Sequence, residues 1–456
     1  MEKTVQNHPL IRLRTCALAL AAGAMLGAVA CSGDLEPPEE TPLSLLAEKG
    51  LSIAPFQLDL TGLSNAEKER IGLGSYYLNA VVTCNDCHMQ PNTSGGPPGY
   101  FGGGSVFQIG PDARVYSRNL TPHPETGLKL NEAQFIEAIR TGKDFKAAEE
   151  GDDEALIVMP WEVYRYMTEE DLKSIYAYLR KIPPINNPVP DDIKGAAAAA
   201  KPVPFPSSYA DGDVSRPLPA ENASGVLNAD RGLALQPLAD PPELATLSAS
   251  DKALYARGSY LVNAVGDCTG CHTNPLRVAN MKIPTDRWLS GGQHFGVPPG
   301  LDALLKNKRT ITGNLLGANN GAFPRFTSYE DFRKVIYDGK VTHNGVTRDL
   351  AFPMNGIAAA LKQANEDDVK AIYTYLKNQV PRTGEGDKKI QEPARWCDAD
   401  AGCSAAAGET CNLTTNECVG RTCDADADCD ACQTCNTTSS KCEAPTAASA
   451  CLVSGY

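Results

Sequence analysis

Cys84-Asn85-Asp86-Cys87-His88 returns 184 residues later as Cys268-Thr269-Gly270-Cys271-His272, and the rest of the chain is arranged around these two stretches. Read as a turn of helix, Cys-x-x-Cys-His puts both thiols on one face and the imidazole one turn beyond the first of them. That triplet suits a planar macrocycle: the thiols bond to two neighbouring vinyl groups of haem while the His nitrogen reaches the iron from the same side. A redox dithiol has no use for the His, and a zinc site would need a second Cys or His pair that neither copy has nearby. The stretches therefore predict two haem c cofactors, one on Cys84, Cys87 and His88 and one on Cys268, Cys271 and His272.

The duplication runs well beyond the motifs. Gly74-Ser75-Tyr76 and Asn79-Ala80-Val81 match Gly258-Ser259-Tyr260 and Asn263-Ala264-Val265 at the same offset. Asn119-Leu120 matches Asn314-Leu315, and Phe135 and Gly142 match Phe332 and Gly339 at an offset of 197, which marks a loop insertion. The copies close alike, Asp171 to Leu179 against Asp368 to Leu376, and Leu172, Ile175, Tyr176 and Leu179 have the spacing of an amphipathic helix. Ser64-Asn65-Ala66-Glu67 is a capping box that opens the first helix, with Ser248 to Asp251 in the second copy. Each unit thus reads as helix, motif, Gly- and Pro-rich loops, middle helix and closing helix. The fold class is mainly α. Gly74 or Gly258 would let the first helix cross another closely, and the aromatic closing helix is the natural partner.

A six-coordinate iron needs a ligand opposite the His, and only seven methionines occur. Met89 adjoins His88 and cannot swing to the far face, while Met167 and Met281 have no counterpart in the other copy. Met159 and Met354 both stand shortly before the closing helix, 71 and 82 residues beyond His88 and His272, and are the candidate sixth ligands. The competing reading is a Met that fills core beside an aromatic helix. His123, His294 and His343 are the alternative ligands. A thioether would raise the reduction potential, and a second His would lower it.

With 456 residues the chain can build two or three domains with real cores. A formal net charge of −13 argues against nucleic acid as a partner and accords with solubility or a basic docking partner. Of sixteen cysteines, four belong to the motifs and ten crowd between Cys397 and Cys451, a distribution that needs an oxidising compartment. The address comes first: Lys3, Arg12 and Arg14 precede an uncharged run from Thr15 to Ala30, the pattern of a signal peptide. Ala28-Val29-Ala30-Cys31 resembles a bacterial lipoprotein cleavage box, so Cys31 is the expected lipidation site. Ser32 after it resembles lipoproteins released to the outer membrane. The expectation is an exported chain, lipid-anchored on the periplasmic side of a bacterial membrane.

Further residues carry a family resemblance. Gly102-Gly103, Ser117-Arg118-Asn119-Leu120-Thr121-Pro122, the Phe135 to Gly142 helix, Met159-Pro160 and Asp171 to Leu179 follow the first motif in that order. This pattern resembles the multihaem cytochrome c subunits of periplasmic alcohol and aldehyde dehydrogenases. The second unit departs from it, with Gly317 after Asn314-Leu315-Leu316 and Pro353 before Met354. The resemblance covers roughly residues 64 to 385. It implies tandem class-I-like cytochrome c folds that relay electrons, and in some members a partner dehydrogenase. The expected organisation is a signal peptide and lipobox (1–31), a tether (32–62), cytochrome c domain 1 (63–185), a Pro/Ala-rich linker (186–245), cytochrome c domain 2 (246–385) and a Cys-rich disulfide module (386–456).

In that last module Cys397, Cys403, Cys411 and Cys418 are echoed by Cys423, Cys429, Cys435 and Cys442, with Cys432 and Cys451 as an extra pair. A segment this short needs disulfide staples, though their connectivity cannot be read off. Cys429-x-x-Cys432-x-x-Cys435 opens like a ferredoxin motif but lacks the fourth Cys-Pro, and the alternating Asp424 to Asp430 lacks the Gly and Glu of a calcium loop. The function expected is a dihaem electron carrier between periplasmic redox proteins, with no catalytic residue of its own. The alternatives are a dihaem enzyme of peroxidase or thiosulfate-oxidising type with one open iron, and a scaffold whose tail binds a partner.

Overall fold

Two short helices that sequence periodicity does not announce begin the two repeats. In the computed structural model, α1 (Leu45–Ile53) is capped by Ser44, whose hydroxyl accepts from Ala47 N–H at 3.1 Å. It lies in the expected tether and is held there by packing, since so short a helix has little stability of its own. A Cβ on Gly50 would stand 1.9 Å from Gly72 O of the following helix, so only glycine lets the two backbones meet. The structure describes residues 41–91, 97–110, 113–193, 201–211, 214–221, 229–273, 285–292, 294–296, 309–316, 322–343, 346–350 and 353–380, and in the tail 403, 405, 408–412, 417–424, 429 and 434–443. All of them fall within one unit, Thr41–Tyr456.

After α1 come α2 (Asn65–Tyr76), with the expected capping box of Ser64 and Glu67, a π-helical turn (Tyr77–Val81) and α3 (Cys84–His88). The hairpin β1 (Val106–Gly110) and β2 (Ala113–Tyr116) follows, then α4 (Glu132–Thr141), α5 (Phe145–Glu149), α6 (Trp161–Tyr164) and α7 (Glu169–Leu179). The expected linker holds the hairpin β3 (Ser208–Asp211) and β4 (Val214–Pro217), and α8 (Ala229–Ala234). The second repeat then runs α9 (Ala249–Tyr260), a π-helical turn (Leu261–Val265), α10 (Cys268–His272), β5 (His294–Gly296) and β6 (Arg309–Ile311), α11 (Ala322–Arg325) and α12 (Tyr329–Asp338). It closes with the hairpin β7 (Lys340–His343) and β8 (Val346–Asp349), α13 (Met354–Leu361) and α14 (Glu366–Lys377). The architecture is mainly α, and each described sheet is a two-stranded antiparallel hairpin.

The close helix crossing expected at glycine is present in both repeats. A Cβ on Gly74 would lie 1.9 Å from Ser174 O of α7, and one on Gly258 would lie 2.0 Å from Ala371 O of α14. Beneath the first crossing Tyr100 donates to Asn79 Oδ1 at 2.6 Å, and Asn79 Nδ2 donates to Tyr178 Oη at 3.2 Å. Asn263 Nδ2 does the same to Tyr375 Oη at 2.9 Å in the second repeat, where Trp288 replaces Tyr100. The linker packs along both repeats. α8 lies on α9 through Gly232 as α1 lies on α2, Glu221 pairs with Arg140 and Arg231, and Gln236 donates to Gln379 Oε1 at 2.8 Å.

One continuous apolar core runs through both repeats. Where they meet, α6 of the first packs on the π-helical turn of the second, and α13 of the second packs on that of the first. In the tail β9 (Thr410–Asn412) pairs with β10 (Glu417–Val419), and β11 (Thr434–Asn436) with β12 (Lys441–Glu443). Disulfides join Cys403 to Cys418, Cys423 to Cys435 and Cys429 to Cys442. Cys423, Cys429 and Cys442 come together in that knot, and their sulfurs are engaged in it, so they offer no thiolate to a cluster or a metal. The expected pair Cys432 and Cys451 lies outside the described residues. Among the described residues no helix is long and apolar enough to cross a membrane.

Candidate haem sites

Both Cys-x-x-Cys-His stretches fold as the short helices α3 and α10, each launched from a π-helical turn. The turns are closed by i to i+5 bonds, Val82 N–H to Tyr77 O at 2.8 Å and Gly266 N–H to Leu261 O at 2.6 Å. In the first, the Asn79 side chain donates to Ser75 O at 2.9 Å, taking the carbonyl that an α-helix would give to the Asn79 N–H. The extra residue of the turn rotates the motif away from the α2 axis. In the second repeat Asp267 adopts a left-handed conformation (φ 50°) and its carboxylate accepts from Gly270 N–H at 3.1 Å.

Cys84, Cys87, Cys268 and Cys271 are all free thiols, although three-residue spacing would permit a disulfide. Burial pushes the Cys87 thiol up to about 12, helped by the charges of Asp86 and Asp267, and pushes Cys268 up to about 12 as well. Cys84 and Cys271 move in the same direction for the same leading reason. A redox dithiol works through a lowered thiol pKa, and these four are the reverse. Cys87 keeps solvent-accessible surface, whereas Cys84, Cys268 and Cys271 are half-buried.

Each imidazole is held by one backbone carbonyl. His88 Nδ1 lies 2.8 Å from Arg118 O, and His272 Nδ1 lies 2.7 Å from Gly313 O. A carbonyl only accepts, so Nδ1 carries the proton and Nε2 presents its lone pair, the arrangement of a metal-ligating His. Burial also lowers both pKa values, which keeps the rings neutral, as ligation requires.

The carbonyls are placed by a second repeated device. Gly103 N–H donates to His88 O at 2.7 Å and Gly291 N–H to His272 O at 2.6 Å. Both glycines have positive φ, and a Cβ on either would stand 2.5 Å from the strand bearing the acceptor carbonyl. Ahead of them Phe101 and Leu289, both fully buried, take φ of 58° and 54°, a strained choice for a large side chain. Asn119 Oδ1 accepts from Thr121 N–H at 3.0 Å and Asn314 Oδ1 from Leu316 N–H at 2.8 Å, fixing the residue just before each Asn. The Asn119/Asn314 match was visible in the sequence; that the preceding carbonyl holds the imidazole was not. The glycine pair with positive φ is Gly103-Gly104, one position later than Gly102-Gly103, and Gly291-Gly292 is its counterpart.

Met159 stands before α6 and its carbonyl accepts from Trp161 N–H at 2.8 Å, while Met354 is the first residue of α13. Both are half-buried against the core, at matching places in the two repeats. Met167 is fully buried and is core. His123 serves its own loop, its Nδ1 accepting from Thr126 N–H at 3.2 Å. His294 and His343 fall in β5 and β7, with their side chains outside the description, and Cys31 lies outside the described residues.

The two motifs lie close to one another, Cys271 of the second feeling the charges of Cys87 and Asp86 of the first. A Cβ on Gly356, in α13 of the second repeat, would lie 3.1 Å from Asp86 Oδ2 of the first motif. Tyr164 of α6 feels Asp267 together with Cys84, Cys87 and Cys271, so it lies near both motifs. Free thiols, a neutral His with Nε2 available and the apolar core beside them make a donor set that fits a covalently bound haem at each motif.

No family model matches the chain. Curated relatives do. It is 28% identical over 312 residues to the gluconate 2-dehydrogenase cytochrome c subunit of Pantoea cypripedii, covering 66% of this chain and 58% of that one. To the fructose dehydrogenase cytochrome subunit of Gluconobacter japonicus it is 23% identical, covering 72% and 56%, and to the alcohol dehydrogenase (quinone) cytochrome c subunit of Gluconacetobacter polyoxogenes 26% identical, covering 74% and 60%. The matched region thus spans 56 to 60% of the length of these relatives. The chain resembles the cytochrome c subunits of dehydrogenases.

Proposed function

We propose that the chain is a dihaem c-type cytochrome that passes electrons from a dehydrogenase to a further redox protein on the periplasmic side of a bacterial membrane. The observation that carries this reading is the identical treatment of His88 and His272: each directly follows a pair of free thiols three residues apart, with Nδ1 held by a carbonyl and Nε2 left to ligate. The bound haem would supply reversible one-electron chemistry. Cys84, Cys87, Cys268 and Cys271 would fasten it, His88 and His272 would ligate it from one side, and Met159 and Met354 would close the other. The Arg118 and Gly313 carbonyls orient the rings and raise their donor strength. The fully buried aromatic core excludes water on the side away from solvent.

The two repeats then act as tandem cytochrome c domains, and the tail as a separate disulfide module. A dehydrogenase subunit is the proposed donor, because three of the similar proteins are named as cytochrome subunits of such enzymes. Export and lipidation at Cys31 would keep the chain at the membrane beside it.

The test is an absorption spectrum of the mature protein, oxidised and reduced, with pyridine haemochrome quantitation and a carbon monoxide challenge. Two haems per chain and no carbon monoxide shift are expected. Met159→Ala and Met354→Ala should each remove part of the far-red charge-transfer band of a thioether bound to ferric haem. One haem per chain, or a carbon monoxide shift in the unmodified protein, would overturn the closed dihaem reading; the latter would favour an enzyme with an open iron.

A further inference from the structure

The repeats meet through a joint that neither could build alone. Tyr76, at the end of α2, donates to Asp368 Oδ2 of α14 at 2.7 Å and accepts from Asn365 N–H at 3.1 Å. Tyr260, at the end of α9, donates to Asp171 of α7 and accepts from Thr168 N–H at 2.9 Å. The four side chains are buried, both tyrosines completely. The tyrosine contact made by the first repeat on the second is returned by the second on the first, the pattern of a two-fold interface between subunits, here within one chain.

The charges at the joint are fewer than its carboxylates. Arg257 bonds Asp368 through Nε and Nη2, both at 2.8 Å, and its charge also reaches Asp171. Leu73 occupies the matching place in the first repeat, so one cation serves two buried acids. Beside Arg257 on Asp368 and Tyr77 on Asp171, the hydroxyls of Tyr76 and Tyr260 donate to those acids, and losing one takes a hydrogen bond from a buried carboxylate.

The joint is also close in sequence to both motifs. Tyr76 and Tyr260 each stand eight residues before the first motif cysteine, with the π-helical turn between. The segments after the candidate ligands Met159 and Met354 pack on the turns of the opposite repeat, and Gly356 meets Asp86. The orientation of one motif toward the other is set at these contacts.

Resting on the dihaem reading above, we infer that Tyr76 and Tyr260 are positioning residues for electron transfer between the two haem sites. Their reciprocal bonds to Asp368 and Asp171 hold the sites close to one another, so an electron crosses inside the chain. The step moves one electron from the reduced to the oxidised site and needs no other reactant. Phenylalanine at either position keeps the ring and its packing but gives up the hydroxyl. Loss of one such bond to a buried carboxylate should raise the opened population of the joint by about 10- to 100-fold.

The test uses the full chain with both haems attached, as the unmodified protein, Tyr76→Phe, Tyr260→Phe and the double variant. Amide exchange at Asn365 and Thr168 reports on the joint. Redistribution of one electron between the sites after flash photoreduction reports on transfer, and the magnetic interaction between the two ferric irons reports on their orientation. In the double variant, exchange at both amides should accelerate about tenfold or more, redistribution should slow several-fold and the magnetic interaction should change, with haem content and optical spectra unaltered. Faster exchange with unchanged redistribution and magnetic interaction would overturn the inference and leave the tyrosines a purely structural role. If the double variant does not fold, the single variants decide in the same way. A chain that holds one haem, or two that exchange no electron, would instead overturn the dihaem relay, and the unmodified protein shows this before any variant is made.

Discussion

Gly74→Ala should force the first helix crossing apart. The added Cβ would lie 1.9 Å from Ser174 O and 2.8 Å from Tyr178 Cβ, whereas real Cβ atoms keep at least 3.0 Å. The nearer obstacle is the backbone of α7, which cannot swing aside as a flexible side chain can, so the helices must separate by about 1 Å in a core packed too densely to absorb it. Overpacking of this kind costs roughly 1–3 kcal/mol, and alanine's better helix propensity returns at most about 1 kcal/mol. A net loss of about 1–2 kcal/mol corresponds to a fall in melting temperature of about 2–8 °C for a folded unit of 150–250 residues. Thermal unfolding followed by far-ultraviolet circular dichroism and by haem absorbance measures it. Gly258→Ala should behave alike, since its Cβ would meet Ala371 O at 2.0 Å. Gly313→Ala is the control, because nothing lies within 4 Å of its added Cβ, and it should stay within about 0.5 kcal/mol of the parent. A Gly74→Ala protein as stable as the parent would refute the close crossing.

The buried acids of the joint should respond in opposite directions. Burial raises the Asp368 carboxyl, but the Arg257 charge and the bonds from Arg257 and Tyr76 outweigh it, so its pKa falls below 3.8 on folding. Its contribution to stability is present above the unfolded value and is lost as pH drops through the folded one. Asp171 is raised because burial outweighs the Tyr260 bond and the Arg257 charge, so its contribution is present below 3.8 and is lost as pH rises through the raised value. In urea unfolding at pH 7, Asp368→Asn should therefore cost about 3–5 kcal/mol, leaving Arg257 without its partner. Asp171→Asn should be neutral or stabilising, and equal losses would contradict the assignment. Mild thiol reduction should open the Cys403–Cys418, Cys423–Cys435 and Cys429–Cys442 bridges and make the tail protease-sensitive. A haem-stained fragment carrying both motifs should survive; loss of haem absorbance would show that the tail supports the cytochrome repeats. Cys31→Ser should shift the exported protein from the membrane to the soluble fraction, as read by fractionation, and an unchanged distribution would sink the lipid anchor.

Much of the fold was legible because it follows local rules. The Ser64 capping box, the Gly74 and Gly258 crossings and the amphipathic closing helices all have the form the spacing predicts. The short helices α1 and α8 were not legible. They lie in Pro- and Glu-rich or Pro- and Ala-rich stretches, and close contact with the first helix of each repeat, through Gly50 and Gly232, stabilises them. That the tail carries disulfides was legible, but the pairing of its three described bridges was not, because ten cysteines admit many connectivities until a backbone brings particular pairs within reach.

At the candidate sites the sequence by itself determined the donors. Thiols three residues apart with an adjacent imidazole carry their geometry in the helical repeat, so two copies of Cys-x-x-Cys-His define two candidate attachment points. Only the tertiary structure decided how those donors are held and aimed. The carbonyls of Arg118 and Gly313 belong to residues 30 and 41 positions from the histidines they orient, and a backbone carbonyl leaves no signature in side-chain identity. The joint between the repeats likewise rests on Tyr76 with Asp368 and Tyr260 with Asp171, pairs 292 and 89 residues apart. Neither partner has any local reason to seek the other. Their bonds form because folding buries four polar groups at one joint, where an unpaired carboxylate would be too costly to keep.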